Sequence, residues 1–282
     1  MFNEFILENE VIIRLIFFFG IFTLMATWEM KAPKRTLSIS KVTRWINNLG
    51  LVFLNSLILR VLFPAAAVGV ALFAQNNSWG LFNYYDISLF SETIISIIVM
   101  DFIIYMQHVM VHAVPLLWRL HRVHHADLDY DVTTGARFHT FEIILSMLIK
   151  FATILLLGAP VIAVIIFEII LNALAMFNHG NVGLSKSLDS KLRFLLVTPD
   201  MHRVHHSIEE DETNSNFGFN LTWWDKIFGT YREDVRVGQK DMIIGIKTFR
   251  DYKETNKILG MLMMPFKGKL GKYSINSKKE IM

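Results

Sequence analysis

The chain of 282 residues contains no cysteine. Disulfides, thiolate zinc sites and iron–sulfur clusters are thereby excluded, and any metal must be held through nitrogen or oxygen. Charge is scarce too: 19% of residues are Asp, Glu, Lys or Arg against 53% hydrophobic, and the mean hydropathy is +0.40. That balance is too apolar for a soluble domain of this length and reads as a membrane protein. The net charge is only +3, and the lysines and arginines sit in short segments beside apolar runs. This suits an anionic membrane face, not a nucleic-acid groove; no nucleic-acid partner is expected.

Apolar runs at about 11–29, 51–75 and 88–107 are each long enough for a membrane helix, which needs roughly 20 residues. The segment before the first, MFNEFILENE, is acidic where a secretory signal is basic, so a retained helix is expected. Lys31, Lys34, Arg35, Lys41 and Arg44 follow the first run, whereas NNSWGLFNYYDIS after the second has neither Lys nor Arg. The positive-inside rule then makes the first loop cytoplasmic and the second external. Two further runs, at about 141–157 and 161–178, flank Gly158-Ala159-Pro160, a turn signal. They read as a hairpin, spanning or re-entrant, that returns the chain to the side it left. Lys150 and Glu168 lie nine residues either side of Ala159, at equal depth, and buried membrane charges usually pair; snorkelling of the lysine is the alternative.

What the chain has in concentration is histidine. All ten lie between His108 and His206. His108 and His112 are spaced i, i+4, on one helical face, as two ligands of one metal require. HRVHH occurs at 121–125 and again at 202–206, so His121, His124, His125 and His202, His205, His206 form two triplets, each able to aim three rings at a common centre. With His139 and His179 the donors exceed what one ion can use, which implies two metals. Imidazole suits Zn, Cu, Fe and Ni. Carboxylates beside the rings would orient them; the candidates are Asp127, Asp129, Asp131, Glu142, Asp200 and Glu209. Asp101 and Tyr105 share a helical stripe with His108 and His112, and an aspartate in a membrane helix is a functional candidate.

The run DFIIYMQHVMVHAVPLLWRLHRVHHADLDYDVTTGARFHTFE, then NHGN, TPDMHRVHHS and FGFNLTWWDKIFGTY, over about residues 101–231, closely resembles the fatty acid hydroxylase superfamily, in particular its bacterial sterol-desaturase-like branch. The resemblance implies an integral-membrane, non-haem di-iron oxidoreductase that uses O2 to hydroxylate or desaturate a C–H bond of a lipid such as a sterol, fatty acyl chain or alkylglycerol. It implies two Fe ions, with Zn able to replace them on isolation, held by His108, His112, His121, His124, His125, His202, His205 and His206. His179 resembles an additional family ligand, and His139 with Glu142 falls where relatives carry FHPLE. Val109 stands where many relatives have an arginine. No HPGG-like haem segment is present, so electrons are expected from a separate cytochrome, ferredoxin or reductase.

The expected fold is an all-α integral membrane protein of four to five membrane helices beneath a cytoplasmic, histidine-rich catalytic cap, in a bacterial inner membrane. Its expected parts are N-terminal membrane helices over 1–87, the catalytic domain over 88–235 and a basic tail over 236–282. The aromatic stretch Phe217–Tyr231 reads as an interfacial anchor or a lid, and the tail as an interface-hugging or frayed end. Two other classes remain open: a metal transporter, whose ligands should lie near the bilayer midplane, and a haem electron carrier, which needs far fewer histidines.

Overall fold

The computed structural model describes residues 2–85 and 87–276, and among these no β-strand forms beyond three isolated bridges. A short helix, Phe2–Glu8 (α1), precedes Glu10–Lys31 (α2). Lys41–Leu62 (α3) and Ala66–Asn76 (α4) follow, then Leu89–Ala113 (α5) and the shorter Pro115–His125 (α6). Thr140–Leu157 (α7) and Val161–Asn178 (α8) form the hairpin. The cap is completed by Lys186–Leu192 (α9), Pro199–His205 (α10), Glu210–Thr213 (α11), Trp223–Phe228 (α12), Tyr252–Asn256 (α13) and Ile258–Met263 (α14). Among the described residues five helical stretches are long and apolar enough to cross a membrane: α2, α3 with α4, α5, α7 and α8. Their outward surfaces keep Ile16, Phe19, Phe53, Val61 and Leu156 exposed, as helices surrounded by lipid require.

The second span differs from its sequence reading. It begins at Lys41, ten residues earlier than the apolar run, and it breaks at Phe63–Ala65 before resuming. Pro64 has no N–H to continue the helix, and Ala66 takes a positive φ of 50°. The early start is polar because α3 enters the cap, where buried Arg44 and Asn48 find partners. At the far end the hairpin turns on Gly158, which caps α7 in the left-handed region at φ 68°. A Cβ on Gly80 would fall 2.0 Å from the Gly158 nitrogen, so both positions must remain bare.

The segments α4, α5, α7 and α8 share one core. Ala67, Ala71, Met100, Ile154, Val164 and Phe167 pack together at its centre, small residues letting α4 approach α7 and α8 closely. Lys150 and Glu168 do meet, Nζ to Oε1 at 2.7 Å. Arg14 of α2 joins them, 3.0 Å from Glu168 Oε2.

Every span ends at the histidine cap on the same side. Glu29 near the end of α2 accepts the Val132 and Asn181 amides at 2.7 and 2.8 Å. Arg44 near the start of α3 binds Asp127 and, through Nε at 2.8 Å, Asp131. His112, His139 and His179 stand at the cap ends of α5, α7 and α8. Both HRVHH copies therefore lie at one end of the helical bundle, as a hairpin that returns the chain to the side it left requires.

The tail is not frayed through residue 276; Ser277–Met282 lie outside the described residues. Met261 and Met264 bury against Trp118 and Leu51, and Arg122 of α6 grips the Met264 and Lys269 carbonyls at 2.6 and 3.1 Å.

Candidate metal centre

Two short helices, α6 and α10, and the ends of two long ones, α5 and α8, converge inside the cap. Pro115 starts α6, where its missing N–H costs nothing, and the last turn of α6 carries His121, His124 and His125. α10 begins at Pro199 with Thr198 capping it and presents His202 and His205, with His206 as the closing residue. α5 contributes His108 and His112, and His179 follows the last turn of α8. Nine imidazoles gather into two groups, each with ligand nitrogens within 4.8 Å of one another: His108, His112, His121, His125 and His205, and separately His124, His179, His202 and His206. All nine are at most 7% exposed.

Neither HRVHH triplet serves a single group, contrary to the simplest reading of the repeat. His121 and His125 join the first group while His124 joins the second; His202 and His206 join the second while His205 crosses to the first. Helix geometry explains the split. Residues i and i+4 point within about 40° of each other, whereas i+3 and i+4 diverge by about 100°. Each copy gives its i, i+4 pair to one group and its i+3 ring to the other, so the copies exchange roles.

The rings are held from outside. His108 Nδ1 donates to the Phe217 carbonyl at 2.8 Å, His205 Nδ1 to Ser215 at 2.7 Å and His179 Nδ1 to Ala175 at 2.8 Å. His121 Nδ1 meets Glu142 Oε1 at 2.6 Å and His112 Nδ1 meets Asn214 Oδ1 at 3.1 Å. A carbonyl oxygen only accepts, so in a neutral ring the Nε2 of His108, His205 and His179 must carry a bare lone pair pointing inward.

Those lone pairs face each other. His205 Nε2 and His108 Nε2 are 2.9 Å apart; His202 and His124 approach His179 at 3.1 and 3.3 Å, and His112 approaches His125 at 3.1 Å. With both Nδ1 protons committed to carbonyls, no proton lies between His108 and His205, and the contact is repulsive unless a cation draws both. Imidazole nitrogens lie about 2.0–2.1 Å from an ion such as zinc, which puts two donors at right angles about 3 Å apart. His121 Nε2, His202 Nδ1 and both nitrogens of His206 are buried without a hydrogen-bond partner. The donor set therefore fits two metal ions.

Protonation is opposed as well. Burial, followed by neighbouring imidazoles, holds His124, His125, His202, His205 and His206 well below the ordinary histidine range. Burial also pushes His179 down to about 4. Neutral imidazole is the form that ligates. Aromatic rings close the chamber: Phe138 stacks on His124 at 4.5 Å, Trp118 covers His112 at 4.8 Å and Tyr130 lies 5.1 Å from His206.

His139 is not brought to either group. Its Nδ1 accepts the Phe141 amide at 3.2 Å, capping α7, and its Nε2 faces the Leu262 carbonyl at 3.2 Å. Of the carboxylates singled out in the sequence, Glu142 touches a ring. Asp127 and Asp131 bind Arg44, Asp129 receives the Ser38 and Ile39 amides, Asp200 pairs with Lys34, and Glu209 pairs with Lys247. Arg44 is fully buried, and only carboxylates can balance it there. Asp101 receives the Trp224 indole N–H at 2.8 Å. The Tyr105 hydroxyl meets Thr230, which donates to Asp225. Asp225 in turn accepts the Phe217 and Gly218 amides, so the aromatic stretch braces the carbonyl that holds His108. Ile227 and Phe228 on its outer face are exposed, as an interfacial element would be.

A cavity of about 280 Å3 opens from the imidazoles into the helical bundle, between α3, α5, α7 and α8. His108, His121, His124 and His202 line its inner end, so it reaches both groups.

Residues 93–230, which include all ten histidines, match the fatty acid hydroxylase family. This region belongs to that family. Among curated relatives, an ornithine lipid hydroxylase of Rhizobium tropici is 29% identical over 67% of this chain and 54% of its own length. Human alkylglycerol monooxygenase is 28% identical over 54% of the chain and 33% of its own length, and a rat cholesterol 25-hydroxylase 23% identical over 51% and 48%. The chain thus spans about half or less of these relatives. No solved structure matches significantly. Within the fatty acid hydroxylase region, the sequence concealed Asn214 and the carbonyls of Ala175, Ser215 and Phe217. A backbone carbonyl has no letter, and Asn214 lies in an ordinary polar turn.

Proposed function

We propose that this chain is an integral-membrane oxygenase that holds two iron ions with nine histidines and uses O2 to hydroxylate a C–H bond of a lipid. The observation that carries this is the His108–His205 contact at 2.9 Å, two inward lone pairs with their protons committed elsewhere. His108, His112, His121, His125 and His205 would hold one ion, and His124, His179, His202 and His206 the other. Bound iron supplies the oxygen activation that no side chain can. The balance is RH + O2 + two electrons + two protons giving ROH + H2O, with electrons from a separate carrier protein.

The protein's own contribution is placement and exclusion. The cavity presents the lipid carbon to its inner end, where His121 and His124 stand under Phe138. Glu142 keeps the His121 proton on Nδ1 and its Nε2 inward. Phe138, Trp118 and Tyr130 keep bulk water from the chamber, which limits side reactions of a strong oxidant. The named relatives act on an ornithine lipid, an alkylglycerol and cholesterol, which supports a lipid substrate and hydroxylation. The histidine end faces the cytoplasm of a bacterial inner membrane, where reductant is available.

Metal analysis of detergent-purified protein, together with membranes incubated under labelled O2 and reductant, tests the reading. Two metal ions per chain, matching the two groups, and a lipid that gains one labelled oxygen are expected. A reproducible single ion per chain, or no oxygenated lipid from iron-loaded protein, would overturn it.

A further inference from the structure

The wall of the cavity contains a charge that the reaction does not use. Glu142, Ser146 and Lys150 line it from α7 at intervals of four residues, so they form one stripe along that helix. The stripe starts at the His121 contact and reaches Lys150 after eight residues, roughly 12 Å deeper at 1.5 Å per residue. An ammonium has three donors. Glu168 takes one of those on Lys150, and the side chain, 12% exposed, lines the cavity.

Lys150 also has only a share of its carboxylate. Glu168 is divided between Lys150 and Arg14, and the cluster reaches neutrality only through Glu10 on the far side of Arg14. Arg14's second partner, Glu10, is 20% exposed and lies one turn further out. Among the described residues Glu142 is the acid lining the cavity, and it is engaged by His121 at the opposite end. Asn55 and Ser56 of α3 and Asn172 of α8 add polar lining where a purely apolar chain would need none.

We propose that Lys150 anchors a subsite for the acidic oxygen, carboxylate or phosphate, of a lipid whose oxidised carbon lies roughly 12 Å away. Glu168 and Arg14 position the ammonium. The location of the oxidised carbon rests on the oxygenase reading; the anchor rests on the geometry of α7 and α8.

Binding to full-length protein in a neutral detergent, followed by titration calorimetry, tests the anchor without turnover. The probes are laurate, dodecyl phosphate and dodecanol. At least one of the two acids should bind wild-type protein about tenfold or more tighter than dodecanol, as hydrogen bonds to charged groups are worth. Which acid does so names the source of the oxygen. Lys150→Met should abolish the preference, and Lys150→Met combined with Glu168→Gln should do the same while leaving no unbalanced carboxylate. Equal affinity for dodecanol, or a preference that survives both variants, would overturn the proposal. Metal content measured on the same samples separates the two readings: Lys150-dependent binding by protein that takes up no metal sinks the oxygenase reading alone.

Discussion

His139 and His205 carry the same ring, but their nitrogens are spent differently. His205 gives Nδ1 to a carbonyl and turns Nε2 into the first group, whereas His139 uses Nδ1 as a helix cap and Nε2 on Leu262. His205→Ala should therefore lower the metal content from two ions towards one and abolish turnover. His139→Ala should keep both ions and lose about 1 kcal/mol of stability, the usual worth of a cap. Metal analysis beside thermal unfolding distinguishes them, and metal loss in the His139 variant would show that the grouping is wrong. The same burial makes the metal-stripped protein acid-sensitive. His179 falls from 6.5 to about 4 on folding, so between those values the unfolded chain binds more protons. Its contribution is complete above about pH 6.5 and is lost as pH falls through about 4, and His124, His125, His202, His205 and His206 shift the same way. Denaturant melts of chelated protein should weaken steadily from pH 6.5 to 4, with the loss displaced to lower pH by metal; a flat profile would contradict the burial argument. Histidine identity was legible at this scale because spacing and clustering belong to the sequence. The partners of Nδ1 were less so, because main-chain carbonyls have no letter: those of Phe217 and Ser215 are positioned by loops and that of Ala175 by the last turn of α8.

At the scale of elements, periodicity revealed what each helix could offer but not how the offers are divided. HRVHH announces three inward rings, yet only the crossing of α6 and α10 decides that His124 and His205 serve opposite groups. The α7–α8 hairpin was readable from Gly158-Ala159-Pro160 and the equal depth of Lys150 and Glu168. Arg14 was overlooked as their third member because its segment lies far away in sequence and reads as an apolar run. Its presence changes what charge reversal should do. Lys150→Glu or Glu168→Lys alone should each cost about 3–5 kcal/mol, as breaking a buried pair does. The double reversal should recover only part, because the ammonium introduced by Glu168→Lys would then face Arg14; adding Arg14→Glu should recover more. Thermal unfolding in detergent supplies the cycle. Silent single reversals would mean that the triad is hydrated and contributes little.

Across the whole molecule, the basic loops and the chemistry lie at one end. The far end comprises residues 2–9, 77–85 and 158–160, and contains no lysine or arginine. At the histidine end the first loop is basic, although Lys34, Lys41 and Arg44 are bound to Asp200, Glu29 and Asp127. Lys31, Lys186, Lys191, Lys240 and Lys267 remain exposed there, so the asymmetry does not depend on the paired residues. By the positive-inside rule this asymmetry supports the proposed orientation, with the cap and both histidine groups in the cytoplasm. The hairpin does not alter this, since spanning and re-entrant forms return to the same side. A reporter fused after Met282 should be cytoplasmic, and one inserted near Asn77 external. Cysteine scanning sharpens the test because the chain has no native thiol: Lys240→Cys should react with a membrane-impermeant thiol reagent only after the cells are opened, and Asn77→Cys in intact cells. Labelling of Lys240→Cys from outside would reverse the orientation and remove the cytoplasmic source of electrons from the proposed reaction.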